Sequence, residues 1–179
     1  MKVGVFCSAS DSVSPIFLAE IEHLGEALSQ DGHQIVYGGA TPGCMGALAR
    51  GVLRSRGHLI GVVPQMDFME GLVEPQLSEV KTVPTLSSRK QVMLEIADAM
   101  VVFPGGLGTL DEAFEALALK ATGSLGKPII FYNFLGVWSP LLESLELLHA
   151  QNLIKSPLDR LIRVIDKSTD LRQHLRDGV

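Results

Sequence analysis

At 179 residues, 46% of them hydrophobic and 20% charged, the chain has room for one domain (residues 1–179) with a real core, too little for two ordinary ones, and a composition far from that of a disordered segment. Fifteen Lys and Arg against twenty Asp and Glu leave a formal net charge of −5 with no basic run, which argues against a nucleic-acid partner, whose phosphates ask for clustered cations. Cys7 and Cys44 stand outside any CxxC spacing and no stretch reaches the apolar length that spans a bilayer, so a disulfide framework, a structural zinc site and a membrane partner are not indicated and a reducing cytoplasm fits.

Strand-like runs recur at residues 2–7, 34–37, 58–63, 79–83, 99–103, 128–132 and 161–165, with helical patterns in most of the gaps. This alternation predicts a Rossmann-like, doubly wound α/β fold: a mostly parallel sheet of about seven strands with helices on both faces. The first apolar run is too short for a signal-peptide core and reads as the first strand. Ser14 and Pro15 open a helix in which Phe17, Ile21, Leu24 and Leu28 keep a helical period until Asp31-Gly32 ends it.

After the second strand comes Gly38-Gly39-Ala40-Thr41-Pro42-Gly43-Cys44-Met45-Gly46, a glycine-rich turn into a helix that runs to about Arg56-Gly57. It lacks GxGxxG, and the first strand is followed by Ser8-Ala9-Ser10-Asp11, so a standard NAD site is not indicated. Residues 64–75 show no period and read as a loop over a crevice, closing on a substrate base, or else as an ordinary surface connection. Ser87 or Ser88 then caps a helix whose first turn carries Arg89 and Lys90. Cations near a helix N-terminus are unfavourable by a few tenths up to about 1 kcal/mol, so either a function uses Arg89 or it is a solvated surface residue.

The stretch Ala99-Met100-Val101-Val102-Phe103-Pro104-Gly105-Gly106-Leu107-Gly108-Thr109-Leu110-Asp111-Glu112 reads as a buried strand, a glycine-rich turn and a helix start. Five apolar residues in a row suit a parallel strand covered on both faces, and Pro104 ends it. Gly105, Gly106 and Gly108 permit angles that a side chain forbids and let main-chain N–H groups approach an anion. The competing reading makes Thr109 and Glu112 a capping box. Leu110, Phe114, Leu117 and Ala121 form the apolar stripe of the helix, with Glu112 off it. Two glycine-rich strand-to-helix turns can face one crevice at the carboxyl ends of a parallel sheet.

The remainder reads as scaffold. Gly126-Lys127-Pro128 is a turn into a strand, since Pro128 stands where a phosphate-binding Walker motif needs Ser or Thr. Trp138, Leu141, Leu142, Leu145 and Leu148 make the apolar face of a late helix, and residues 168–179 make a short polar helix prone to fraying. The five histidines have no metal-ligand spacing, so no metal site is indicated.

Arg89-Lys90, a short helix, a buried strand and Pro104-Gly105-Gly106-Leu107-Gly108-Thr109-Leu110-Asp111-Glu112 together resemble the Lonely Guy family of cytokinin riboside 5′-monophosphate phosphoribohydrolases, with a full match to PGGxGTxxE. Tyr37-Gly38-Gly39 with Met45-Gly46 is similar to the family's other glycine loop, and the resemblance extends to about Ile154. The chain departs from it at Leu86-Ser87-Ser88, where members commonly read Met-His-Glu before Arg-Lys, and at Leu119 and Ala121, where Trp and Gln are usual. The resemblance implies hydrolysis of the N-glycosidic bond of a nucleoside 5′-monophosphate to free base and ribose 5-phosphate, without metal or organic cofactor. It implies Arg89 and Glu112 as the catalytic pair and a homodimer or larger homo-oligomer. Gly38, Gly39, Gly43, Met45, Gly46, Lys90, Gly105, Gly106, Leu107, Gly108 and Thr109 are the candidate substrate-binding residues.

The chemistry is consistent with those residue types. Breaking a ribosyl C–N bond builds positive charge on the sugar, which a carboxylate at Glu112 stabilises while it orients or deprotonates water. Arg89 is always charged and cannot be a general acid; its fork holds phosphate or ribose hydroxyls and keeps Glu112 ionised. A nucleotide-binding or carrier protein of the same fold without chemistry is the alternative. Lysine decarboxylation would need a lysine for pyridoxal phosphate, and neither Lys90 nor Lys127 lies in a supporting context.

Overall fold

The computed structural model describes residues 1–177. Seven strands, β1 (Lys2–Phe6), β2 (Gln34–Tyr37), β3 (Leu59–Pro64), β4 (Glu79–Val83), β5 (Ala99–Val102), β6 (Ile129–Tyr132) and β7 (Arg163–Ile165), form one sheet in the order β4-β3-β2-β1-β5-β6-β7. All six pairings are parallel, so the sheet is entirely rather than mostly parallel. Each boundary lies within two residues of the expected one.

The helices are α1 (Pro15–Gln30), α2 (Gly43–Arg54), α3 (Leu86–Ile96), α4 (Leu107–Ala121), α5 (Ser139–Ala150), the single turn α6 (Leu158–Leu161) and α7 (Ser168–Arg176). They divide between two cores because successive strand residues point to opposite faces. Val3, Val5, Ile35, Val101 and Tyr132 pack under α1, α2 and α7, whereas Phe6, Val36, Met100, Val102 and Phe131 pack under α3 to α6. The central strands are buried on both sides, which is why they read as unbroken apolar runs.

Three local expectations change. The cap of α3 is Thr85, not Ser87 or Ser88: Ser88 N–H donates to Thr85 Oγ1 (3.1 Å) and Thr85 N–H to Ser88 Oγ (3.0 Å), so serine takes the reciprocal role that Glu usually has. In α4 the sheet-facing side is Thr109, Glu112, Ala113, Ala116 and Leu117. The small alanines let the helix sit close to the strands, and Phe114, from the expected stripe, is 41% exposed. The C-terminal helix is tied down rather than frayed. Leu171 and Leu175 are buried, and Arg172 (2.5 and 2.7 Å) and Arg176 (2.5 Å) both donate to Asp31 at the end of α1. Those bonds, Arg172's first, hold the Asp31 carboxyl well below the usual carboxylate range against the opposing effect of burial. The last two residues of the expected helix, 178 and 179, lie outside the described residues.

Order reverses between β1 and β5, whose carboxyl ends therefore diverge toward crossovers on opposite sides. Such a switch point leaves a crevice in an open parallel sheet. Here α4 leaves β5 and the Cys7–Ser10 segment leaves β1 at that point.

Candidate active site

The turn after β5 delivers α4 with its first amides bare. Gly106 is the N-cap and offers no side-chain cap, and the first bond of the helix runs from Leu110 N–H to Gly106 O (3.0 Å). The N–H groups of Leu107, Gly108 and Thr109 precede it and have no partner among the described residues. None of Gly105, Gly106 and Gly108 has a positive φ, so they do not serve the unusual angles expected of them. A Cβ at Gly105 would lie 2.1 Å from Thr109 Oγ1, whereas one at Gly106 or Gly108 would meet nothing within 4 Å. Glycine at those two positions leaves the amides uncovered, at the helix end where the dipole favours an anion.

Thr109 and Glu112 do not form a capping box. Thr109 is the third residue of α4, and the Glu112 carboxylate turns toward α3, where it accepts a hydrogen bond from Arg89 Nη2 at 2.6 Å. The Glu112 side chain is buried, 4% exposed, and that of Arg89 is largely covered, 12% exposed. Arg89 Nε, also buried, has no partner within the described residues. Gly38 makes room for this guanidinium: a Cβ there would lie 3.1 Å from Arg89 Nη1 and 3.0 Å from the Met45 methyl. Burial pushes the Glu112 carboxyl up to about 7, Asp111 adds to the rise, and Arg89 and Lys90 oppose it. The pair is thus a carboxyl that changes charge near neutrality, held against a permanent cation.

Next to it, Lys90 Nζ reaches Asp111 Oδ2 (2.8 Å) and Glu115 Oε2 (2.5 Å). With Thr85 as the cap, Arg89 and Lys90 are the fourth and fifth residues of α3 and are neutralised by carboxylates of α4, which resolves their apparent misplacement. Burial alone would pull the Lys90 ammonium down, but its bonds to Asp111 and Glu115 outweigh that and hold it above the usual lysine value.

A cleft of about 300 Å³ opens over the pair, lined by Met45, Arg89, Gly108, Thr109 and Glu112 of the expected residues. Cys7, Ala9, Ser10, Phe68 and Leu86 complete the lining; of these only Phe68 lay in a stretch expected over the crevice, and none was among the candidate site residues. Phe68 had one signal, its place in the aperiodic 64–75 stretch, where a short 3-10 turn (Asp67–Met69) now carries it 52% exposed. Burial, with Cys44 and Glu112, pushes the Cys7 thiol well up, so it lines the cleft as a small neutral group.

The second glycine turn supports this cleft more than it binds through it. Gly39 and Gly43 have φ of +79° and +59°, and a Cβ at Gly43 would lie 2.5 Å from Ser10 O. A Cβ at Gly46 would lie 1.8 Å from Thr41 O. The α2 terminus also donates Met45 N–H to Ser8 O (3.2 Å), so the turn anchors the Ser8–Ser10 segment. Gly38, Gly39, Gly43, Gly46, Lys90, Gly105, Gly106 and Leu107 stand around the cleft without lining it.

No cluster of three or more His, Cys, Asp or Glu suited to a metal occurs among the described residues, and no helix there is long and apolar enough to cross a membrane. Neither lysine of interest lines the cleft: Lys90 is held as above, and Lys127 Nζ donates to Leu94 O (2.6 Å) and Glu95 O (2.5 Å) at the end of α3. A second groove of about 260 Å³, almost wholly apolar, runs between α4, α5 and α6, away from the ion pair.

The family described as possible lysine decarboxylase matches residues 45–175. A probable cytokinin riboside 5′-monophosphate phosphoribohydrolase of Oryza sativa subsp. japonica is 31% identical over 99% of this chain and 72% of its own length. The cytokinin riboside 5′-monophosphate phosphoribohydrolase of Rhodococcoides fascians is 34% identical over 81% of this chain and 74% of its own. That of Mycobacterium tuberculosis is 32% identical over 94% and 89%. Among solved structures, the molybdenum cofactor carrier protein of Chlamydomonas reinhardtii superposes with a TM-score of 0.74 at 20% identity, covering 98% of this chain and 96% of its own. At that identity the likeness is one of fold.

Proposed function

The chain belongs to the Lonely Guy family of phosphoribohydrolases, also described as possible lysine decarboxylases, and from that premise we propose that it hydrolyses the N-glycosidic bond of nucleoside 5′-monophosphates, releasing the base from ribose 5-phosphate. The observation that carries the proposal is the Arg89–Glu112 pair in one cleft with Gly108 and Thr109, whose main-chain N–H groups at the start of α4 have no partner among the described residues. A phosphate binder gains nothing from a carboxylate next to its anion; a glycosidase requires one.

The substrate 5′-phosphate docks on the N–H groups of Leu107, Gly108 and Thr109 with the Thr109 hydroxyl. Charge-assisted bonds there are worth about 1.5–3 kcal/mol each, which roughly offsets the cost of association and leaves the base to supply the surplus. Met45, Phe68 and Leu86 give the cleft an apolar slot for a base ring. As the C–N bond breaks, its electron pair leaves with the base, which takes up a proton from solvent as it departs; positive charge gathers at the sugar carbon, and ionised Glu112, poorly solvated, stabilises it more strongly than an exposed carboxylate would. Glu112 then orients and deprotonates the attacking water, the proton passing to its carboxylate and the water oxygen to the sugar. Arg89 fixes one Glu112 oxygen and has Nε left to bond a ribose or phosphate oxygen. The residues do not suit pyridoxal phosphate, because no lysine among the described residues lines the cleft.

The test is to incubate the protein with a panel of nucleoside 5′-monophosphates, including AMP and cytokinin ribotides, and to assay free base. Ligand-dependent thermal shifts without base release would favour a carrier. In the same assay kcat/KM should fall tenfold per pH unit below about 7, where Glu112 takes up its proton. It should fall more steeply below about 6, where the substrate phosphate gains its own. A flat profile between pH 6 and 8 would contradict the role of Glu112.

We also propose that the protein works as a homodimer or larger homo-oligomer in the cytoplasm. The apolar groove between α4 and α5 is lined by half-exposed Phe114 and Leu148, and Leu147 (62% exposed) and Leu153 (72%) stand out from the same α5 region, surface that a second copy would cover. Leu148→Glu should convert the assembly to monomers in light scattering; an unchanged mass would place the contact elsewhere.

A further inference from the structure

The ion pair of Arg89 has a neighbour that the proposed reaction does not use. Lys90 is 9% exposed, an unusual burial for an ammonium, and both its partners lie on α4, flanking Glu112 in sequence. Its side chain does not line the cleft, nor do those of Asp111 (64% exposed) and Glu115 (28%). The α3–α4 contact is thus built as two adjacent rungs. Arg89 to Glu112 faces the ligand, and Lys90 to Asp111 and Glu115 lies outside it.

We propose that Lys90 is a positioning residue: its ammonium, clamped between Asp111 and Glu115, holds the first turn of α3 against α4 so that Arg89 and Glu112 stay in register, and its charge offsets that of Asp111 beside Glu112. This deepens the proposed function and rests on it for its kinetic part. A lone exposed pair such as Lys90 with Asp111 would contribute little, but two carboxylates on one buried ammonium fix both the rotation and the spacing of the helices. Displacements on the order of 1 Å at a catalytic pair lower rates by up to about 10².

The electrostatic part gives the clamp a signature that mere stability would not. The charged groups facing Glu112 are Arg89 and Lys90 from α3 and Asp111 on its own helix, and the neutral thiol of Cys7, just past β1, is the other titratable neighbour. Removing Lys90 leaves Asp111 uncompensated, which raises the Glu112 proton affinity; removing the Asp111 charge lowers it. Lys90→Met should therefore move the acid limb of kcat/KM up and lower kcat at least tenfold, while Asp111→Asn should move the limb down. Lys90→Arg, which keeps the charge and can reach both carboxylates, should restore the wild-type limb and most of kcat. The same shifts should appear in the pH titration of the 13C-labelled Glu112 carboxyl, which needs no turnover and thus separates this proposal from the hydrolase reading. Wild-type protein that releases no base but shows the opposite shifts in the two variants would overturn the activity and leave the clamp standing. Unmoved titrations in both variants, with only lower melting temperatures, would overturn the clamp.

Discussion

Glu112→Gln should lower kcat/KM for release of base from AMP by a factor on the order of 10² to 10³ while leaving the fold and AMP binding in place. The substitution is nearly isosteric, and the amide oxygen can still accept from Arg89 Nη2, so the α3–α4 contact survives. What is lost is the negative charge that grows in value as the sugar becomes cationic. It is also lost as a base for water, which an amide cannot replace. Because the site receives an anion, removing a neighbouring carboxylate should leave the thermal shift with AMP equal or larger. The acid limb near pH 7 should vanish, and the one set by the substrate phosphate should remain. A variant that keeps most of its turnover, or that loses binding and rate together, would remove Glu112 from the chemistry.

Arg89→Ala should act differently, through both binding and rate. The Glu112 side chain is 4% exposed and would be left without its cation, so its carboxyl, already at about 7, should move up by about one to three units and be neutral at pH 7. The donors that reach the ligand go with the guanidinium. A combined fall in kcat/KM on the order of 10³ follows, with KM raised as well as kcat lowered. Arg89→Lys returns a charge but not the fork, so it should recover the position of the acid limb better than the rate. An alanine variant with an unmoved limb and an unchanged KM would show that the pair is structural.

The fold was legible because buried parallel strands announce themselves. Residues 99–102 and 129–132 are unbroken apolar runs, fully covered in the structure, and punctuation by Pro, Gly and Asp marked most boundaries. The site was legible where glycines recur without a scaffold reason, as at Gly106 and Gly108, and where charge was out of place, as at Arg89 and Lys90. The rest depends on pairs distant in sequence. Thr109 and Glu112 satisfy the spacing of a capping box, but the competing bond from Arg89, 23 positions away, takes the carboxylate. Asp111 and Glu115 look like a solvated helix face until α3 is laid against them. Glycines 39, 43 and 46 read as a second turn facing the crevice, and their scaffold reasons, positive φ at Gly39 and Gly43 and backbone contacts with Ser10 and Thr41, show only in the folded chain. Cys7, Ala9, Ser10 and Leu86 carried no binding signature; the divergence of β1 and β5 brings the Cys7–Ser10 segment to the cleft, and the start of α3 brings Leu86.

That divergence sets apart two portions of the cleft with unequal freedom to vary. The amides and Glu112 start from β5 in the middle of the sheet, and Glu112 is tied to Arg89 across the α3–α4 contact. Phe68 arrives from its border, on the connection from β3 to β4, and of residues 65–71 only Met69 is buried. Under the proposed chemistry a lineage can exchange that rim to admit another nucleobase while bond cleavage stays as it was. Selectivity is then the evolvable property of this enzyme, and sugar chemistry the inherited one.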